Sequence, residues 1–276
     1  MGDATISYVD ERPLDGSVDA PTLLLVHGTP TWSYLWRAPI AELRRTHRVI
    51  ALDLPGFGDS TAPLSGGHAF SVGARLIAAF IERLGLRNLV VVMHATAGPM
   101  AIGAALADPA RVRGLVITNS FAWPLLGSPG KLGKIARLVS SRFFAWFGVQ
   151  SGLLGWITAR FSRRNGRFSL EERRAIAAPL ARRSVRAHLA DVLASLRGDD
   201  RHLATLERDV GRSLAHIPAL LLYGMHDNGY RAGFLARWQS LLPIHQVVLL
   251  ERAGHFPPED QPQEWTDAVT DFVARL

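Results

Sequence analysis

The sequence predicts an α/β fold, a mostly parallel sheet with helices packed on it, and three observations lead there. Five short apolar runs end in loops that carry histidine, aspartate or glycine, which is how strands buried on both faces of a parallel sheet read. One of these runs turns tightly into a helix-forming stretch. A long segment, residues 124–212, shows no clean alternating strand pattern and reads as an inserted helical unit. At 276 residues and 48% hydrophobic, the chain can bury a sizeable core as one such domain.

The first run, Leu23–Val26, leads into His27-Gly28-Thr29-Pro30, a loop of the kind that offers backbone N–H groups to an oxyanion. His27 reads as a brace for that loop rather than as a reactant. The second run lies within RVIALDLPGFGDS (Arg48–Ser60) and closes on a Gly/Pro-rich turn. The third, Leu89–Met93, meets His94-Ala95-Thr96-Ala97-Gly98-Pro99 and passes into the helix-forming Met100–Ala107. This strand–turn–helix layout is that of a nucleophile elbow, in which small residues flank a side chain held out over the sheet end. Met93 and Ala97 take the flanking positions, and Ala95 takes the nucleophile's. A methyl group cannot attack anything. His94 sits on the strand side, either packed behind the turn or facing substrate. The N–H groups of Thr29 and Thr96 are the natural oxyanion pair, worth about 3 kcal/mol each in acyl-transfer chemistry.

The last two runs bring the acid–base chemistry. ALLLYGMHD (Ala219–Asp227) ends in an acid, and VVLLERAGHF (Val247–Phe256) is followed by a histidine. His255 is expected as a general base taking a proton from water, with Asp227 holding its ring in the right tautomer.

These motifs resemble a known family. HGTPTWSYLWR looks like the HG-x-P-T-x-x-Y-x-x-R loop of the haloalkane dehalogenases, and DLPGFGDS like their D-x-x-G-x-G-x-S turn. HATAGPM looks like their D-W-G-G-P elbow, with Ala95 where the aspartate stands. The chain order of position 95, Asp227 and His255 is that of the α/β-hydrolase superfamily. The resemblance, to the haloalkane dehalogenase and epoxide hydrolase branch, covers residues 20–125 and 215–276. It implies about eight mostly parallel strands, with core segments 1–123 and 213–276 and a helical cap at 124–212. It also implies a nucleophile at position 95: aspartate for C–X or epoxide opening through an ester, or serine for acyl transfer. Gly98-Pro99 and the HGTPTW loop favour aspartate. Ala95 then reads as an engineered removal of the nucleophile, with natural loss as the rival. Relatives on this branch sometimes carry the acid one strand earlier, but Asn119 stands there and cannot hold a charge.

Two departures count against the obvious enzyme names. Thr96 stands where dehalogenases keep a halide-binding tryptophan, and Thr29 where an asparagine often gives the second donor. Epoxide hydrolases protonate their substrate with cap tyrosines, whereas the tyrosines here are Tyr8, Tyr34, Tyr223 and Tyr230, none of them in the cap. The expected function is therefore hydrolysis of a small, largely apolar molecule by a site now lacking its nucleophile. A non-hydrolytic lyase or cofactor-free oxygenase using only His255 and Asp227 is one alternative, and a catalytically silent binding protein is another.

Within the cap, Ser169-Leu-Glu-Glu172 is a capping box opening a helix. The aromatic-rich stretches around it, with residues flanking the loops, supply candidate pocket-lining side chains: Phe144, Trp146, Phe147 and Trp156 from the cap, and Trp32, Phe121, Trp123 and Phe256 from the core. Phe143 is a further candidate from the same cap stripe. The net charge is +7, and residues 131–212 hold 17 Lys/Arg against 7 Asp/Glu. Without a nucleic-acid motif, that excess reads as solvated helix faces. The expected partner is a small-molecule substrate, with neither nucleic acid nor membrane. No metal or organic cofactor is expected, since there is no ligand cluster and no glycine-rich phosphate loop. The sequence has no cysteine, which excludes disulfides and thiolate chemistry. With no apolar run of membrane-spanning length and no basic-then-apolar leader, a cytoplasmic protein is the expectation.

Overall fold

The computed structural model describes residues 4–17, 19–128, 130–152, 164 and 168–276, without the side chains of Arg142, Ala145 and Trp146. Seven strands form one sheet: β1 Tyr8–Glu11, β2 Thr22–Val26, β3 Val49–Leu52, β4 Leu89–His94, β5 Val112–Thr118, β6 Ala219–Gly224 and β7 His245–Leu250. Their order is β1-β3-β2-β4-β5-β6-β7. Only β1 runs antiparallel, against β3; every other pair is parallel. The eighth strand expected from the family does not form among the described residues. After β1 comes a turn from Pro13 to Gly16, and Thr5 contributes only an isolated bridge to Thr61.

The helices used below are α1 Arg37–Leu43, α2 Ala69–Arg83, α3 Ala97–Ala107, α4 Gly130–Val139, α5 Leu170–Ala177, α6 Arg183–Gly198, α7 Asp200–Ser213, α8 Phe234–Leu241 and α9 Pro262–Val273. Side chains alternate across the sheet with the two-residue strand period. Leu24, Val26, Val91, Met93, Leu115, Ile117 and Leu221 pack with residues of α2, α3, α7 and α8. Leu23, Leu25, Val90, Val92, Val116, Leu220 and Leu222 face Leu43 of α1 and Trp265, Val269 and Phe272 of α9. Burial on both faces explains why the runs of β2 to β6 read as continuously aliphatic, whereas β7, at the sheet edge, leaves Val247 and Leu249 exposed and is not buried on both faces as its sequence suggests. β4 lies at the centre, so the turn at its carboxyl end sits where open parallel sheets place their ligands.

Between β5 and β6 the described residues are helical or irregular, with no strand. The capping box at Ser169–Glu172 forms as expected and opens α5. The expected cap boundary at residue 212 differs from the packing. α7 lies against α3 and α8, helices that themselves flank the sheet, with Leu203, Leu206 and Val210 buried. α7 thus belongs to the layer flanking the sheet. The residue just before it, Asp199, accepts N–H bonds from Phe70 (2.9 Å) and Ser71 (3.1 Å) and so caps α2 from a distant part of the chain.

Candidate active site

The turn after β4 has the backbone of an elbow. Ala95 adopts φ +51°, the left-handed region that costs an L-residue about 1–2 kcal/mol. Three hydrogen bonds hold it there. Its N–H donates to the Thr118 carbonyl at 3.4 Å, and its own carbonyl accepts from Gly98 N–H at 3.3 Å and from the Ser120 hydroxyl at 2.7 Å. Two glycines permit the close approach. A Cβ on Gly28 would lie 2.7 Å from both the Ala95 Cβ and the His94 carbonyl, and one on Gly98 would lie 2.1 Å from the Phe121 carbonyl. Ala95 is 5% exposed.

His255 and Asp227 meet as the sequence predicts. Nδ1–H of His255 donates to Oδ2 of Asp227 at 2.6 Å, with the imidazole side chain 45% exposed and the carboxylate 4%. The other oxygen, Oδ1, accepts from Gly229 N–H (2.7 Å) and Tyr230 N–H (3.2 Å), the first turn of the short helix after β6. Burial alone raises the Asp227 pKa, but the His255 charge and hydrogen bond, with those amides, bring it below the ordinary carboxylate value. Burial works against a protonated His255, yet the Asp227 carboxylate outweighs it and the imidazole ends above its usual value. The pair has the chemistry to act as a base backed by an anion.

His94 lies behind the elbow rather than against substrate. It is fully buried and its Nε2–H donates to the His255 carbonyl at 2.7 Å, so it positions the loop that carries the base. Burial, then the nearby His255, push its pKa down to about 3, so it stays neutral. Asn119 does a related job. Its Nδ2 donates to the carbonyls of Gly254 (2.8 Å) and His255 (3.1 Å), and its Oδ1 accepts from Gly224 N–H at 3.0 Å. Asp260 adds a third anchor by accepting from Gly254 N–H at 2.8 Å. Sequence reasoning missed Asn119, Ser120 and Asp260 as braces; the first two were signalled only by polar residues just after a buried strand, and Asp260 by nothing local. His27 braces its own loop, donating from Nδ1 to the Gly28 carbonyl and accepting Leu54 N–H at Nε2.

The expected oxyanion pair departs from expectation. The Thr29 N–H is not open to a ligand: it donates to the Thr96 hydroxyl at 2.8 Å, and the two hydroxyls lie 3.0 Å apart. The Thr96 side chain is short enough to fold onto the neighbouring loop and satisfy its amide.

The lining residues divide. Phe256 is buried between His94 and His255, with ring centroids 5.1 and 5.0 Å away. Trp32 donates from Nε1 to the Ala175 carbonyl of α5 at 3.1 Å, tying the helical insertion to the core. Phe121 packs edge-on to Phe70 and near Phe234. Trp123 is a core residue rather than a lining one: it is fully buried, wedged against Phe234 and Trp238 with the Arg237 guanidinium over its ring. Phe144 is partly buried against the core, whereas Phe147 is 55% exposed and faces outward. Trp156 and the Trp146 side chain lie outside the described residues.

Comparison with known proteins agrees with this geometry. Residues 21–262 match the family described as alpha/beta hydrolase fold. The chain is 32% identical to haloalkane dehalogenase 2 of Mycobacterium tuberculosis over 272 residues, covering 96% of this chain and 90% of that protein. It is 29% identical to a cis-3-alkyl-4-alkyloxetan-2-one decarboxylase of Xanthomonas campestris over 98% of this chain and 92% of that one. Among solved structures, haloalkane dehalogenase DbeA from Bradyrhizobium elkani superposes with a TM-score of 0.85 at 24% identity, over 99% of this chain and 95% of that one. Sheet order, elbow, base and relatives converge: the chain belongs to the α/β-hydrolase fold family, on its haloalkane dehalogenase-like branch.

Proposed function

We propose that this protein is a dehalogenase-like hydrolase site that has lost its nucleophile, with position 95 as the vacated nucleophile position, His255 as the base and Asp227 as its partner. The substrate is a small, largely apolar molecule. One observation carries the reading. Ala95 is held at φ +51° in the elbow turn, a conformation alanine does not favour, on the same sheet end as the 2.6 Å His255–Asp227 pair. Such a turn aims a side chain, and only its reactive atoms are missing. The experiment is Ala95→Asp, assayed against a panel of haloalkanes, epoxides and esters. Hydrolysis is expected to appear, and Ala95→Ser to give less. Ala95→Asp combined with His255→Ala should accumulate a covalent ester, read as a mass gain on the intact protein, because attack needs no base but release by water does. If the parent turns over as fast as the Asp variant and no adduct is seen, position 95 is not a nucleophile site.

The Thr29–Thr96 bond favours a second reading. Removing an aspartate by a single engineered change leaves its neighbours as they are in the family, whereas here Ala95, Thr96 and Thr29 all depart together and two of them bond to each other. That pattern supports natural loss and chemistry driven by His255 and Asp227 alone, as in a lyase or a cofactor-free oxygenase. Counting hydrogens, the two hydroxyls share one bond between them, so one O–H remains to donate to a substrate oxygen. Turnover of the parent chain, abolished by His255→Ala, separates this reading from the first. Tight ligand binding without turnover in either form points to a silent receptor.

A further inference from the structure

The helical insertion carries a pattern of charge and exposure that the site does not use. Between Pro124 and Leu170 the chain has eight Lys or Arg and no Asp or Glu. Arginines scattered over α6 fit the reading of solvated outer faces, but α4 is different. Its exposed stripe is Lys131, Lys134, Ile135 and Leu138, at spacings that put all four on one side of the helix. Gly133 and Ala136 on the other side are buried. Ile135 is 45% exposed and Leu138 58%. Just past the helix, Phe143 is 75% exposed, its ring stacked on Phe147 with centroids 6.1 Å apart and planes 6° from parallel. A surface helix of a globular protein ordinarily turns its apolar stripe inward. Here the outward face joins two lysines to two large aliphatic side chains and leads into stacked aromatic rings.

We propose that this face docks the protein peripherally on an anionic lipid surface. Ile135, Leu138 and Phe143 enter the boundary between headgroups and acyl chains, and Lys131 and Lys134 reach lipid phosphates along their own apolar stems. The contact is peripheral because no helix among the described residues is long and apolar enough to cross a membrane. Charge complementarity selects this occupant. A second copy meeting the same patch across a twofold axis sets basic residues against basic residues, with no acid in the segment to pair them. A nucleic-acid backbone offers the lysines phosphates but leaves the aliphatic half of the stripe without a partner. The inference makes no assumption about the substrate, so it stands or falls separately from the proposed function.

The test is co-sedimentation of the full chain with vesicles of phosphatidylcholine alone and of phosphatidylcholine mixed with phosphatidylglycerol. The protein is expected to pellet with the mixed vesicles and to stay in solution with the neutral ones. Lys131→Gln and Lys134→Gln should each weaken binding about fivefold, the equivalent of the ~1 kcal/mol that one lysine contributes near such a surface. Ile135→Ser, Leu138→Ser and Phe143→Ser together should abolish it, with the thermal midpoint and far-UV circular dichroism unchanged because all three side chains are exposed. The proposal is overturned by equal binding to both vesicles, by no binding, or by binding that survives the triple change. It is equally overturned if the triple change abolishes a concentration-dependent dimer in sedimentation equilibrium while vesicle binding is absent, or if the chain retards duplex DNA or RNA regardless of that change.

Discussion

Replacing His94 by glutamine should make the protein less sensitive to acid. His94 is fully buried, its Nε2–H bonds the His255 carbonyl at 2.7 Å, and its Nδ1 has no hydrogen-bond partner. Burial and the neighbouring His255 hold its pKa at about 3, against an ordinary value of 6.5. An unfolded chain takes up a proton there as the pH falls through about 6.5, and the native protein does not until about 3. Across that window the unfolded state binds more protons, so stability falls as the solution is acidified. At about 1.4 kcal/mol per pH unit, the native state loses roughly 2 kcal/mol by pH 5 through this one residue. Glutamine does not titrate, and its amide N–H can keep the bond to the His255 carbonyl. The assay is urea unfolding of both proteins at pH 7.5 and pH 5. The parent should lose about 2 kcal/mol more than His94→Gln between the two conditions. Any fixed cost of the substitution cancels in that difference, as do the other buried histidines. Parallel losses in the two proteins, or a His94 proton resonance titrating near its ordinary value, refute the reasoning.

Asp227→Asn keeps an oxygen for the Gly229 and Tyr230 amides but removes the charge beside His255. The imidazole midpoint should then drop from above its ordinary value, since the anion that raises it is gone. An NMR titration of the His255 ring reads this, and an unmoved midpoint shows that Asp227 is not the partner. The stabilisation that the raised His255 pKa provides is full below its unfolded value and fades as pH rises through the native one, so this variant should lose that dependence as well. Gly28→Ala puts a Cβ 2.7 Å from Ala95 Cβ and the His94 carbonyl, both anchored by backbone. It should lower unfolding stability by about 2 kcal/mol; an unchanged urea midpoint means the loop stands farther from the elbow.

What the sequence made legible was whatever needs a local pattern. A strand buried on both faces has to be a continuous apolar run, and a turn that aims a side chain has to be small on either side of it, so β2, β4, β6 and the elbow could be read directly. Asp227 was legible because it stands just past such a run, and His255 because it follows the apolar run of β7, although that edge strand leaves Val247 and Leu249 exposed. Asn119 and Ser120 were not, because their partners at Gly254, His255 and Ala95 lie far away in sequence or across the turn, and a polar residue after a strand is ordinary. Aromatic composition suggested a lining but could not say which way a ring points, so Trp123 proved a core residue and Phe147 an exposed one. α7 read as part of the insertion because it falls in the same strand-free stretch, yet it packs against α3 and α8 beside the sheet. The Thr29–Thr96 bond joins residues 67 positions apart, and nothing local announces it.

The site is held by contacts that do not depend on what stands at position 95. The base loop is anchored by His94, Asn119 and Asp260, and the elbow by Ser120 and by the space left at Gly28 and Gly98. On the proposed reading, a nucleophile lost at position 95 removes a reactant without loosening the frame, so His255 and Asp227 can stay paired beside a methyl group. The residue that decides what the frame can do is then Thr96 rather than Ala95. While its hydroxyl occupies the Thr29 N–H, negative charge developing on a substrate oxygen meets one fewer backbone donor, and covalent hydrolysis loses stabilisation of about 3 kcal/mol that a free amide supplies. Proton removal by His255 needs no such donor. A carboxylate restored at position 95 should accordingly act better once Thr96 also becomes valine, which keeps the side chain's shape and releases the amide.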